Sequence, residues 1–131
     1  MARRPCVLVV DDDAAMREMV ACLLDRLGFD AQTAFDADEA LFALQARPFH
    51  AVVCDLHMPR RDGFSLARVA REMRPATPLV LMTSYGAPGT AGEAERAGAG
   101  ALLAKPFSSR QLGEALARAA RASAPPASAS T

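Results

Sequence analysis

Cys6-Val7-Leu8-Val9-Val10-Asp11-Asp12-Asp13 is the stretch that decides the fold. An uninterrupted apolar run of this length reads as a strand buried on both faces, the habit of parallel sheets, and it stops abruptly at three acids. The pattern then repeats down the chain. Ala51-Val52-Val53-Cys54 ends in Asp55, Pro78-Leu79-Val80-Leu81-Met82 ends in Thr83-Ser84, and Ala101-Leu102-Leu103 runs through Ala104 into Lys105-Pro106-Phe107. Open α/β sheets bind ligands at the carboxyl ends of their strands. Four runs therefore deliver acids, an acid, a hydroxyl and a lysine to one edge.

Helical patterns fill the intervals. Met16, Met19, Val20, Leu23, Leu24 and Leu27 form an apolar stripe that Gly28 is placed to end. A further strand over roughly Asp30 to Phe35 leads to Asp36, with Glu39 three residues on as a capping signal. Ala37, Ala40, Leu41 and Leu44 make the next stripe. After a loop with Pro59 and Gly63 come Leu66, Val69, Ala70 and Met73, stopped at Arg74-Pro75. Ser108 and Gln111 cap a last helix carrying Leu112, Ala115, Leu116 and Ala119. Five strand–helix repeats predict an α/β fold, a doubly wound five-stranded parallel sheet with helices on both faces. From Gly86 to Ala101 no large apolar residue occurs, and five of the eight glycines lie there. The fourth helix, around Gly89 to Ala97, is therefore expected to be short and weakly packed.

The length of 131 residues suits one domain, and with 5% aromatics its core must be aliphatic. Net charge is zero, so no basic excess suggests nucleic-acid binding by this segment alone, and no apolar stretch is long enough to span a membrane. Arg3 and Arg4 precede too short an apolar run for a signal peptide. Cys6, Cys22 and Cys54 lack metal-ligand spacing and are expected to pack in the core of a reduced, cytoplasmic protein. A domain over 1–122 is expected, followed by a disordered Ala/Pro/Ser tail or linker over 123–131.

Fourteen of the fifteen basic residues are arginine, and the one lysine is Lys105. Lysine is a compact point charge, suited to a single anionic oxygen in a narrow space. Three carboxylates from neighbouring strand ends repel one another unless a cation joins them. Mg2+ suits such a site, because it takes few protein oxygens and bridges to phosphate. Asp11, Asp12 and Asp55 would supply oxygens, and an oxygen of Asp55 remains able to attack phosphorus, giving an acyl phosphate. Thr83 and Lys105 would then hold the phosphoryl oxygens. Taken singly, these residues have plainer roles: Asp12 or Asp13 as helix cap, with Asp13 the choice, Thr83 bonded to its own backbone, Asp55 marking a turn. Their order along the chain favours the shared site.

Val9-Val10-Asp11-Asp12, Asp55-Leu56-His57-Met58-Pro59 with Asp62-Gly63, Met82-Thr83-Ser84 and Lys105-Pro106-Phe107 together resemble the motifs of response-regulator receiver domains. The resemblance runs from Val7 to Arg121 and implies a flavodoxin-like sheet of order 2-1-3-4-5 with five helices. It implies that Asp55 is the phosphoacceptor and that Asp11, Asp12, Asp55 and the backbone carbonyl of His57 bind Mg2+. It further implies that Thr83 and Lys105 contact the phosphoryl group and that the Lys105–Pro106 peptide is cis. Such a domain is a signalling switch rather than an enzyme, although it assists its own phosphorylation and dephosphorylation. Its implied partners are a sensor histidine kinase or phosphotransfer protein and a downstream protein, met through the fourth helix, last strand and last helix, with a homodimer as a further option. The chain departs from the family at Leu102, where an aromatic switch residue is usual. His57 and Tyr85 flank the site where the family tunes acyl-phosphate lifetime.

Two enzyme or cofactor readings fail on the same residues. A haloacid-dehalogenase-type phosphatase wants a second acid where His57 stands, and a flavin module wants a phosphate cradle where three aspartates stand. A phosphorylation-independent docking receiver is the alternative that the motifs leave open.

Overall fold

The computed structural model describes residues 4–84, 86 and 88–123. Each apolar run becomes a strand and each stripe a helix. In chain order these are β1 (Cys6–Val10), α1 (Ala14–Arg26), β2 (Asp30–Ala34), α2 (Ala37–Ala46), β3 (Ala51–Asp55), α3 (Gly63–Met73), β4 (Leu79–Thr83), α4 (Thr90–Ala97), β5 (Ala101–Ala104) and α5 (Ser109–Ser123). The strands form one sheet of order β2-β1-β3-β4-β5, parallel at every pairing, as the resemblance implied.

The sheet separates two cores. On one face Leu8, Val10, Val52, Cys54 and Leu81 pack against α2, α3 and α4. On the other, Val7, Val9, Val53, Val80 and Met82 pack against α1 and α5. The alternation along β1 and β3 explains why their sequences look continuously apolar: successive side chains enter different cores. Every residue of β3 and β4 is buried, whereas β2, an edge strand, is mostly half-buried or exposed and is correspondingly polar.

Caps follow the sequence signals closely. Asp13 accepts from the Ala15 amide, Asp36 from Glu39 and Asp62 from Ser65, and Gly28 has φ of 94° just past α1. Ser108 and Gln111 satisfy each other's amides at 3.1 and 2.8 Å, a complete capping box. At α2 the box is displaced by one residue, because Glu39 accepts from the Phe35 amide rather than from that of Asp36.

Two expectations need correction. Cys54 is buried and Cys6 half-buried, but Cys22 is exposed, on the solvent side of α1. Helical position, not residue type, decides its burial: the inner stripe of α1 is filled by Val20 and Leu24. Ser123, assigned to the tail by composition, is the last residue of α5, carried there by the Ala- and Arg-rich turns before it. Tyr85 and residues 124–131 lie outside the described residues, so the expectations for them do too.

Candidate functional site

Parallel pairing in register brings the strand ends together. Val10 lies beside Cys54, Asp55 beside Met82, and Thr83 beside Ala104. Main-chain bonds extend the pairing past the strands: the Asp11 amide donates to Ala34 O at 3.2 Å, Leu56 to Met82 O at 2.7 Å, and Lys105 to Thr83 O at 2.8 Å. Asp11, Asp55 and Thr83 are the buried polar residues among those described. A sheet edge in an otherwise apolar interior thus carries two acids and a hydroxyl.

Lys105 joins the two buried acids. Its Nζ lies 3.2 Å from Asp11 Oδ2 and 3.2 Å from Asp55 Oδ1, with the lysine side chain 18% exposed. Asp12 is exposed at the rim, and one oxygen from each of Asp11, Asp12 and Asp55 falls within 4.8 Å of the others. Burial raises the Asp11 pKa above the ordinary carboxylate value; the Asp13 amide and Lys105 oppose the rise, and the Asp55 charge adds to it. For Lys105, burial acts downward, but the attraction of Asp11 and Asp55 outweighs it and the pKa is raised. Like charges gathered in a half-dry pocket form a site that a small cation would stabilise. Three hard carboxylate oxygens are the donor set for such an ion, so the residues fit a metal.

The remaining sequence candidates take different places. Thr83 is buried at the end of β4. His57 is exposed, in the loop from Leu56 to Asp62. The Lys105–Pro106 peptide is cis, and Phe107 beyond it is buried in the α1/α5 core. Leu102 is half-buried against the α2/α3/α4 core, one strand over from Leu81.

Two contributors were missed from sequence. Arg17 Nη1 donates to the carbonyl oxygen of Asp11 at 2.7 Å. One α-helical turn beyond the Asp13 cap is the only signal that could have placed it near the acids. Gly63 donates its amide to Leu56 O at 2.9 Å, and a Cβ there would meet Asp55 O at 2.8 Å. Its appearance in a family motif hinted at importance without giving this contact.

The sequence of the response regulator receiver domain family matches residues 7–117. The chain belongs to that family. It is a receiver domain of the kind found in two-component response regulators, built on their five-stranded fold. One relative, the response regulator protein FleR of Pseudomonas aeruginosa, is 40% identical over 112 residues, which are 86% of this chain and 24% of that protein. The transcriptional regulatory protein FixJ of Bradyrhizobium diazoefficiens is 36% identical over 127 residues, 97% of this chain and 62% of that protein. The chain thus spans only part of the length of both relatives. Among solved structures, the chemotaxis protein CheY4 of Vibrio cholerae superposes with a TM-score of 0.83 at 32% identity, covering 89% of this chain and 99% of that one. Among the described residues no helix is long and apolar enough to cross a membrane.

Proposed function

We propose that this receiver is switched by phosphorylation of Asp55, with a phosphohistidine of a sensor kinase or phosphotransfer protein as donor. The observation that carries the reading is the Lys105 ammonium held 3.2 Å from both Asp11 and Asp55, at the rim of the three-carboxylate cluster. An oxygen of Asp55 attacks phosphorus as the P–N bond to the donor imidazole breaks; the imidazole nitrogen takes a proton and leaves neutral, and Asp55 becomes an acyl phosphate. Asp11, Asp12, Asp55 and the backbone carbonyl of His57 would hold Mg2+, which when bound supplies positive charge against the phosphoryl oxygens.

The chain's own groups do the rest. Lys105 forms a charge-assisted hydrogen bond to a phosphoryl oxygen, exchanging one carboxylate partner for another anion. Thr83, buried at the neighbouring strand end, offers its hydroxyl to a second oxygen. Because Thr83 heads the segment into α4, its rearrangement is the natural link to a partner-binding face on α4, β5 and α5. Leu102 sits beneath that face and can respond only by packing, having no ring or hydroxyl. His57, exposed in the loop after Asp55, would modulate water access and the lifetime of the acyl phosphate, and by the family resemblance Tyr85 would share that role.

The domain acts in the cytoplasm without enzymatic turnover of an external substrate, with homodimerisation as one output. The domain proper runs through the end of α5 at Ser123, with the residues after it as tail or linker. Intact mass after incubation with acetyl phosphate and Mg2+, beside Asp55→Ala, tests the reading. A single phosphoryl adduct that requires both Asp55 and Mg2+ is expected. No adduct with acetyl phosphate, and no response to beryllofluoride, would favour the phosphorylation-independent docking receiver instead.

A further inference from the structure

The β1–α1 turn supplies two of the three carboxylates, and most of its polar main chain is tied down. The Asp11 amide donates to Ala34 O at 3.2 Å, and the Asp11 carboxylate accepts the Asp13 amide at 3.0 Å. The Asp11 carbonyl, half of the peptide group that leads into Asp12, is claimed by a side chain: the half-buried Arg17 guanidinium, at 2.7 Å. Arg17 is itself fixed by the helix, since its amide donates to Asp13 O at 3.0 Å. A charge-assisted bond of that length resists rotation of the Asp11–Asp12 peptide.

We propose that Arg17 is a positioning residue for the metal-binding turn: it locks the Asp11–Asp12 peptide so that both carboxylates keep their oxygens within reach of Asp55. The proposal rests on reading the acid cluster as a Mg2+ site. Two effects of Arg17 oppose each other, which makes the role testable. Its charge, near the cluster, repels a divalent cation, so on electrostatics alone its removal tightens Mg2+ binding. Its hydrogen bond orders the ligands, so on geometry its removal weakens binding; partners of this outer kind are typically worth about 10–100-fold in metal affinity. Geometry prevails here because the guanidinium charge is partly screened by solvent at a half-buried position, whereas the bond is short and made to the ligand's own backbone.

The experiment is calorimetric titration of Mg2+ into the wild-type chain, Arg17→Met and Arg17→Gln, with melting temperatures taken without metal. Arg17→Met removes donor and charge, while Arg17→Gln removes the charge and keeps an amide donor. Mg2+ binding weakened about tenfold in Arg17→Met, and partly recovered in Arg17→Gln, supports the proposal. Binding as tight as wild type or tighter in Arg17→Met overturns it, because charge then dominates. A lower metal-free melting temperature with an unchanged dissociation constant also overturns it, since Arg17 would then serve stability alone. If Arg17→Met fails to fold, Arg17→Gln decides: binding weaker than wild type supports the role, and equal or tighter binding overturns it. A wild-type chain that binds no Mg2+ overturns the metal reading together with this one, and so is told apart from failure of Arg17 alone.

Discussion

Two strand-to-helix junctions leave the same edge of the sheet and are built in opposite ways. At the β3–α3 junction the strand that ends in Asp55 turns into a helix that is capped by Asp62 and buries Leu66, Ala67 and Ala70. Gly63 lies so close to the strand that a Cβ would meet Asp55 O at 2.8 Å, Leu56 Cα at 2.9 Å and Leu81 Cδ2 at 2.9 Å. At the β4–α4 junction, Thr83 leads to an eight-residue helix with Gly89 at φ 89°, no side-chain cap, and only Ala94 and Ala97 buried. One junction holds Asp55 still, and the other leaves α4 lightly fastened. A switch needs both: a fixed reacting group, and an element cheap enough to move that a single phosphoryl group can bias it.

The largest effect is expected where the fixed junction is anchored. Leu66→Ala, at a fully buried site, should cost about 2–5 kcal/mol. Denaturant unfolding should remain a single transition, because the loss belongs to the shared core. A local opening of α3 with the sheet intact would break the contrast, by making this junction as separable as α4. Gly63→Ala comes next. The added methyl meets main chain, which cannot step aside as a side-chain tip can, so about 1–3 kcal/mol is expected. Phosphoryl adduct formation should fall by more than the stability loss explains, since the displaced atom is the carbonyl oxygen of Asp55, the proposed acceptor. An adduct rate equal to wild type in the folded fraction would show that Asp55 tolerates movement of α3.

Much of this architecture was legible in the sequence, for reasons that can be stated locally. β1, β3 and β4 are buried on both faces, so their apolar runs had no competing explanation. Asp13, Asp36 and Ser108 cap because short polar side chains satisfy orphan amides, and that chemistry is local in sequence. The weakness of α4 was visible as an absence of large side chains. What stayed hidden depends on direction rather than composition. Arg17 reaches a carbonyl six residues back, which no charge pattern reveals among fourteen arginines. Gly63 is defined by what lies across from it. Cys22 falls on the solvent side of a helix whose stripe was already filled. The acid cluster was readable because two strands independently ended in acids, but Lys105 between Asp11 and Asp55 is a tertiary fact.

The charge pairing at the fixed half gives a pH test of smaller size. The folded pKa of Lys105 is raised, so its stabilising contribution is complete below the unfolded value of 10.5 and lost as pH climbs through the folded value. Asp11 is raised as well; the native state then holds its proton longer than the unfolded chain, and stability falls as pH rises from 3.8 through the native value. One proton limits either slope to about 1.4 kcal/mol per pH unit. Denaturation midpoints followed across the alkaline range should show the first limb on top of a second loss from Cys54, where burial pushes the thiol pKa well above its ordinary value. Lys105→Met should make the fall shallower without removing the Cys54 part. An alkaline fall as steep in Lys105→Met as in the wild type would mean that the ammonium is not what holds the carboxylates together.

The smallest effect bears on the loose half and tests its cause. Gly92 lies inside α4, and a Cβ there would meet nothing nearer than Arg96 Nη1 at 3.3 Å, the end of a flexible side chain. Gly92→Ala should therefore add about 0.5–1 kcal/mol of helix stability without repacking the core. Amide exchange in α4 of the wild type should be faster than in α1, which buries Val20 and Leu24. The substitution should slow α4 and leave α1 unchanged. If looseness comes from backbone freedom, stiffening α4 also makes the switch harder to throw, and the exchange change on phosphorylation shrinks. If α4 exchanges as fast as before, the helix is loose because only Ala94 and Ala97 hold it to the sheet, and the missing side chains rather than the glycines set its mobility.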